Sequence, residues 1–118
     1  GFDIAITRED NPGVGEIDFH ITRGTKANTI IEIKRSSNQN LYHGYRSQLA
    51  AYIRAERATD GIFMIIVEDD NYEKIKNNLA VIQEDMKSKG EYVPEVIYVN
   101  GNRQVSASNP EYHNPVLP

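Results

Sequence analysis

The chain has 118 residues, the length of one domain, and its 39% hydrophobic and 25% charged composition is that of a folded protein, which excludes a multidomain machine, a disordered chain and a fibre. It has no cysteine, so disulfides, thiolate zinc sites and thiolate-bound iron–sulfur clusters are excluded and any metal must take oxygen or imidazole ligands. The net charge of −4 argues against a non-specific nucleic-acid coat, although residues 1–60 balance eight basic against eight acidic side chains and the deficit lies wholly in residues 61–118.

The longest apolar run, Ile62 to Val67, is far short of the ~20 residues of a membrane span, and no basic-then-apolar leader pattern precedes it. The expectation is a cytoplasmic protein with no membrane partner.

Phe2 to Thr7 alternates apolar and polar residues and predicts a first strand, ended by the turn signal Asn11-Pro12-Gly13. Glu16 to Thr22 alternates more sharply, with Ile17, Phe19 and Ile21 on one face and Glu16, Asp18 and His20 on the other. Thr29 to Lys34 predicts a third strand, with Ile31 and Ile33 inward and Glu32 and Lys34 outward; the two read as a hairpin.

Residues 41–58 carry Leu41, Tyr45, Gln48, Leu49, Tyr52 and Ile53 at three- and four-residue spacing and predict a helix with Asn40 as N-cap. Ile62 to Val67 predicts a strand buried on both faces. Tyr72 to Lys89 predicts a second helix, with Ile75, Leu79, Ile82 and Met86 as its core stripe and Gly90 as its stop. Val96 to Val99 predicts a last strand. The domain is expected over 1–105, with 106–118 an exposed tail or linker. This order of elements gives an α/β fold, a mixed central sheet flanked by helices, with the 62–67 strand parallel to the 29–34 strand.

A hairpin register in which paired residue numbers sum to 50 sets Asp18 opposite Glu32. Like charges so placed destabilise a sheet, so two facing carboxylates call for a cation. Mg²⁺ is usually bound by one or two carboxylates with waters and phosphate oxygens, which this pair suits. Lys34 follows on the same face, where an ammonium can orient an attacking water and offset developing negative charge; the chemistry implied is phosphodiester hydrolysis. Gln48 and Tyr52 share one helical stripe and could reach a phosphate or a base, with Arg35, Arg46 and Arg54 as phosphate contacts.

Gly15-Glu16-Ile17-Asp18, Glu32-Ile33-Lys34 and Gln48-Leu49-Ala50-Ala51-Tyr52 together resemble the G-x-x-D, E-x-K and Q-x-x-x-Y elements of the PD-(D/E)XK nuclease superfamily, closest to its RecB-like and lambda-exonuclease-like branch. The resemblance spans about residues 14–67. It implies a restriction-endonuclease-like core that cleaves nucleic acid, DNA before RNA, with Mg²⁺ or Mn²⁺. It makes Asp18, Glu32 and the Ile33 carbonyl metal ligands, Lys34 the catalytic lysine, and Gln48 and Tyr52 supporting residues. Ile17 stands where the family has proline, and the lack of cysteine excludes the iron–sulfur subgroup. Only seventeen residues precede Asp18, too few for the helix that the family places before its first strand. The chain is therefore expected to be a module of a larger defence, restriction or repair protein, open to homodimer formation. The alternative is a catalytically inactive nuclease-like domain that binds nucleic acid or a protein partner.

Overall fold

The computed structural model describes residues 4–11, 16–23, 27–102 and 115–118, with side chains from residue 29 onward. Six strands lie side by side in chain order: β1 (Ile4–Asn11), β2 (Glu16–Arg23), β3 (Ala27–Arg35), β4 (Asp60–Val67), β5 (Glu95–Asn100) and β6 (Val116–Leu117). The β1–β2, β2–β3 and β5–β6 ladders are antiparallel, while β3–β4 and β4–β5 are parallel. Parallel neighbours need crossover connections, and helices supply both. The fold is α/β with a mixed sheet, as the element order predicts.

The first crossover is α1 (Leu41–His43), a π turn (Gly44–Gln48) and α2 (Leu49–Ala55), which follow one another without a break. Within it the Leu49 amide donates to the Gly44 carbonyl five residues back, one residue wider than an α turn. Asn40 stands at the N-cap but its side chain makes no capping bond; the Asn38 side chain instead accepts from the Asn40 amide at 2.7 Å. The helix stops at Ala55, short of the expected 58, because Arg57 takes the left-handed conformation at φ 52°.

The second crossover is α3 (Tyr72–Ser88). Gly90, at φ 70°, ends it: the Gly90 amide donates to Lys87 and the Glu91 amide to Met86, the paired bonds that close a helix at a left-handed glycine.

Both helices cover one face of the sheet. Phe63, Ile65 and Val67 of β4 form a single cluster with Leu41, Tyr45, Leu49, Ile75, Leu79 and Met86. Each such side chain contributes roughly 1.5–3 kcal/mol on leaving water. Tyr45 packs edge-on against Phe63 and its hydroxyl donates to the Pro94 carbonyl at 2.6 Å, while Tyr72 packs edge-on against Tyr98.

This arrangement corrects three expectations. β4 is not buried on both faces: Ile62, Met64 and Ile66 are only half-buried, on the sheet face opposite the helical cluster. On β3 the faces are reversed, for Ile30, Glu32 and Lys34 are buried beneath the helices whereas Ile31 and Ile33 are half-buried. Alternation fixes which residues share a face, but the crossovers decide which face is covered. Val116–Leu117, within the expected exposed tail, forms the edge strand β6, with Leu117 against the core. The turn at 12–13, the loop around Thr25 and residues 106–114 of the expected tail lie outside the described residues.

Candidate active site

β3 brings two charged side chains into the covered interior. Glu32 is 0% exposed and Lys34 1%, and Lys34 Nζ stands 3.5 Å from Glu32 Oε1. They are two residues apart, so the pleat aims both at the helical layer. Burying charge is costly unless it is paired, and even paired ions are weak evidence of a stability role, so the pair asks for a chemical explanation.

The β2–β3 register sets Asp18 opposite Glu32, with Ile17 opposite Ile33 and Phe19 opposite Ile31. This is the register in which paired numbers sum to 50. It places two acidic residues side by side on neighbouring strands, with Lys34 next along β3; the side chain of Asp18 lies outside the described residues. Ile33 sits between the two charged residues of β3, in register with Met64 of β4. Among the described residues no three His, Asp or Glu side chains converge.

The helix lies directly on Lys34. A Cβ on Gly44 would stand 2.2 Å from Lys34 Cε, 2.9 Å from Cδ and 3.1 Å from Nζ. Gly44 is the residue that sequence reading misses; its signal is a glycine inside an otherwise regular helical pattern. Gln48 closes the π turn, half-buried, and its Oε1 is buried with no hydrogen-bond partner among the described residues. Tyr52 is half-buried and packs against the core cluster. His43 is exposed.

Of the three expected phosphate-contacting arginines, two are engaged within the chain. Arg35 donates from Nε and Nη2 to the two Glu68 carboxylate oxygens at 3.0 and 2.6 Å, which holds the Glu68 carboxyl below its ordinary pKa and raises that of Arg35. Arg46 donates to Asp85 at 2.5 Å, and Lys89 joins from 3.2 Å; the Arg46 hydrogen bond is the first cause and the Lys89 one the second of a lowered Asp85 pKa. Arg54 is exposed, makes no ion pair among the described residues, and lines a cavity of about 550 Å³ with Arg46, Ser47, Met86 and Tyr92. Glu32, Lys34 and Gln48 do not line that cavity, so it and the charged pair are separate places.

Residues 1–70, more than half of the chain, match the family model of a domain of unknown function, DUF8371. The chain belongs to the DUF8371 family. The match takes in β1 to β4 and all of Asp18, Glu32, Lys34, Gln48 and Tyr52, whereas α3 and β5 lie beyond it. No curated protein and no solved structure gives a match. No helix among the described residues is long and apolar enough to cross a membrane.

Proposed function

We propose that this DUF8371 domain is a PD-(D/E)XK-type, metal-dependent nuclease with a restriction-endonuclease-like core, hydrolysing phosphodiester bonds of nucleic acid, DNA in preference to RNA. The observation that carries the reading is the register of Asp18 against Glu32 with the buried Lys34 ammonium beside them. Two carboxylates on adjacent strands are the donor set that a magnesium or manganese ion takes alongside phosphate oxygens. Asp18, Glu32 and the Ile33 carbonyl would hold the ion, which when bound supplies Lewis-acid polarisation of the phosphate.

The residues of the chain divide the remaining work. Lys34 Nζ has three protons to donate; it orients water toward phosphorus and offsets charge developing on the phosphate oxygens. Gln48, whose Oε1 lies buried at the end of the π turn, can accept from a site water, and Tyr52 on the next turn supports it. Arg54 serves as the phosphate contact. The domain is read as cytoplasmic, as a module of a larger defence, restriction or repair protein, and as able to pair with a second copy for double-strand cleavage.

The second reading, a catalytically silent domain that binds nucleic acid or a protein, draws on the pairing of Arg35 with Glu68 and of Arg46 with Asp85, which removes two cations from a phosphate-binding surface. Incubating the complete protein with labelled single- and double-stranded DNA and RNA, in Mg²⁺, Mn²⁺ or EDTA, decides between them. Cutting that needs the metal and is lost in Asp18→Ala and Lys34→Ala supports the nuclease; binding without cutting, unchanged in both variants, supports the silent domain.

A further inference from the structure

Glycine is among the poorest helix formers, so its place inside the first crossover helix requires a cause. The backbone does not supply one. Gly44 has φ −59° and ψ −45°, ordinary right-handed values open to any residue. Its amide donates to the Asn40 carbonyl at 2.7 Å and its carbonyl accepts from the Leu49 amide, so both polar groups are satisfied within the helix.

The cause is steric and lies on β3. The outer stem and ammonium of Lys34 cross the bare backbone of Gly44, and a methyl group there would overlap Cε and Cδ at separations that real Cβ atoms do not show. Leu41 and Tyr45, on either side of Gly44, are fully buried and packed in the core, so the helix has little freedom to withdraw. What yields is the far end of the lysine.

We propose that Gly44 is a positioning residue: the slot left by its missing side chain fixes Lys34 Nζ beside the Glu32 carboxylate. The consequence for cleavage rests on the nuclease reading above; the placement itself does not. The ammonium can act on a phosphate only from a defined point, and a shift of about 1 Å can cost on the order of 100-fold in rate.

The test compares Gly44→Ala with the native protein by three measurements, two of them independent of cleavage. The ¹H–¹⁵N correlation of the Lys34 ammonium, identified by its loss in Lys34→Arg, is expected to move or vanish in Gly44→Ala. In the metal-dependent cleavage assay kcat is expected to fall about 100-fold with KM within about twofold. In a Lys34→Ala background, where no cutting is expected, the same glycine change is expected to leave Tm the same or higher, because the space is free and alanine is the better helix former. If Gly44→Ala alone does not fold, the same change is made in Glu32→Leu/Lys34→Ala, which leaves no unpaired buried charge: folding there supports the proposal and failure to fold overturns it. An unmoved Lys34 signal, or an equal loss of Tm in both backgrounds, also overturns it. A native protein that cuts no nucleic acid sinks the nuclease reading alone, and the ammonium signal still decides the placement.

Discussion

Lys34 Nζ lies 3.5 Å from Glu32 Oε1, and both side chains are shut off from solvent. Removing one member leaves the other charge buried, so Glu32→Leu or Lys34→Met should each lower stability by roughly 3–5 kcal/mol, while the double change Glu32→Leu/Lys34→Met should recover most of that loss. Urea unfolding of the four proteins provides the comparison. Losses that simply add would show that the two side chains do not act as a unit.

Divalent ions should stabilise the native chain. At about 100 times its Kd, Mg²⁺ or Mn²⁺ would raise the unfolding free energy by about 2.7 kcal/mol, seen as an upward Tm shift that EDTA reverses. Asp18→Asn and Glu32→Gln should abolish the shift. An equal shift in Asp18→Asn would place the ion elsewhere.

The arginines should not contribute alike to nucleic-acid affinity. Arg54→Ala is expected to weaken binding and to lower the slope of log K against log salt by about 1, as for one lost phosphate contact. Arg35→Ala and Arg46→Ala should change the slope little, since their guanidinium groups already face Glu68 and Asp85. Fluorescence anisotropy at several salt concentrations gives the slopes, and equal slopes for the three variants would contradict this.

Glu68 and Asp85 both have carboxyl groups held below the ordinary range, first of all by the arginine hydrogen bonds. A depressed folded pKa means stability that is present above the unfolded carboxyl value of about 4 and is lost as pH falls through the folded value. Asp85→Asn should therefore lower Tm slightly at neutral pH, leave it nearly unchanged well below about pH 4, and so flatten the acid limb between the two. An acid limb of unchanged steepness in Asp85→Asn would show that the Arg46 contact is not maintained in solution.

The alkaline side has a different origin. Burial, assisted by neighbouring tyrosines, pushes the Tyr98 phenol up to about 12. Its folded pKa lies above the unfolded value near 10, so the associated stability is full below about pH 10 and is lost as pH rises toward 12. Tyr98→Phe keeps the ring against Tyr72 and should remove that part of the alkaline loss, followed by circular dichroism between about pH 9 and 12.

Periodicity located most elements because each strand and helix carries its own side-chain spacing. The Asp18–Glu32 register was legible for the same reason: once two alternating runs form a hairpin, only registers that keep Ile17, Phe19 and Ile21 with Ile31 and Ile33 hold a common apolar face. Which face the helices cover was not legible, because that depends on crossover packing and not on either strand. Glu32 and Lys34 looked like a solvated face and are interior, paired to each other across one pleat. The engagement of Arg35 and Arg46 was equally hidden, since their partners lie 33 and 39 residues away in the chain. At Gly44 the sequence shows an oddity without its cause, which appears only when β3 is set beneath the helix.

The π turn at Gly44–Gln48 holds one residue more than an α turn does. An α turn closes on the fourth residue and this one on the fifth, so a chain with one residue fewer there would bring the Leu49 amide to the same Gly44 carbonyl by ordinary winding. Leu49 and Ile53 would keep their places above Gly61, and Gly44 its place on Lys34. The surplus residue is thus swallowed within a single coil, and the rod on either side of it lies as it would without it.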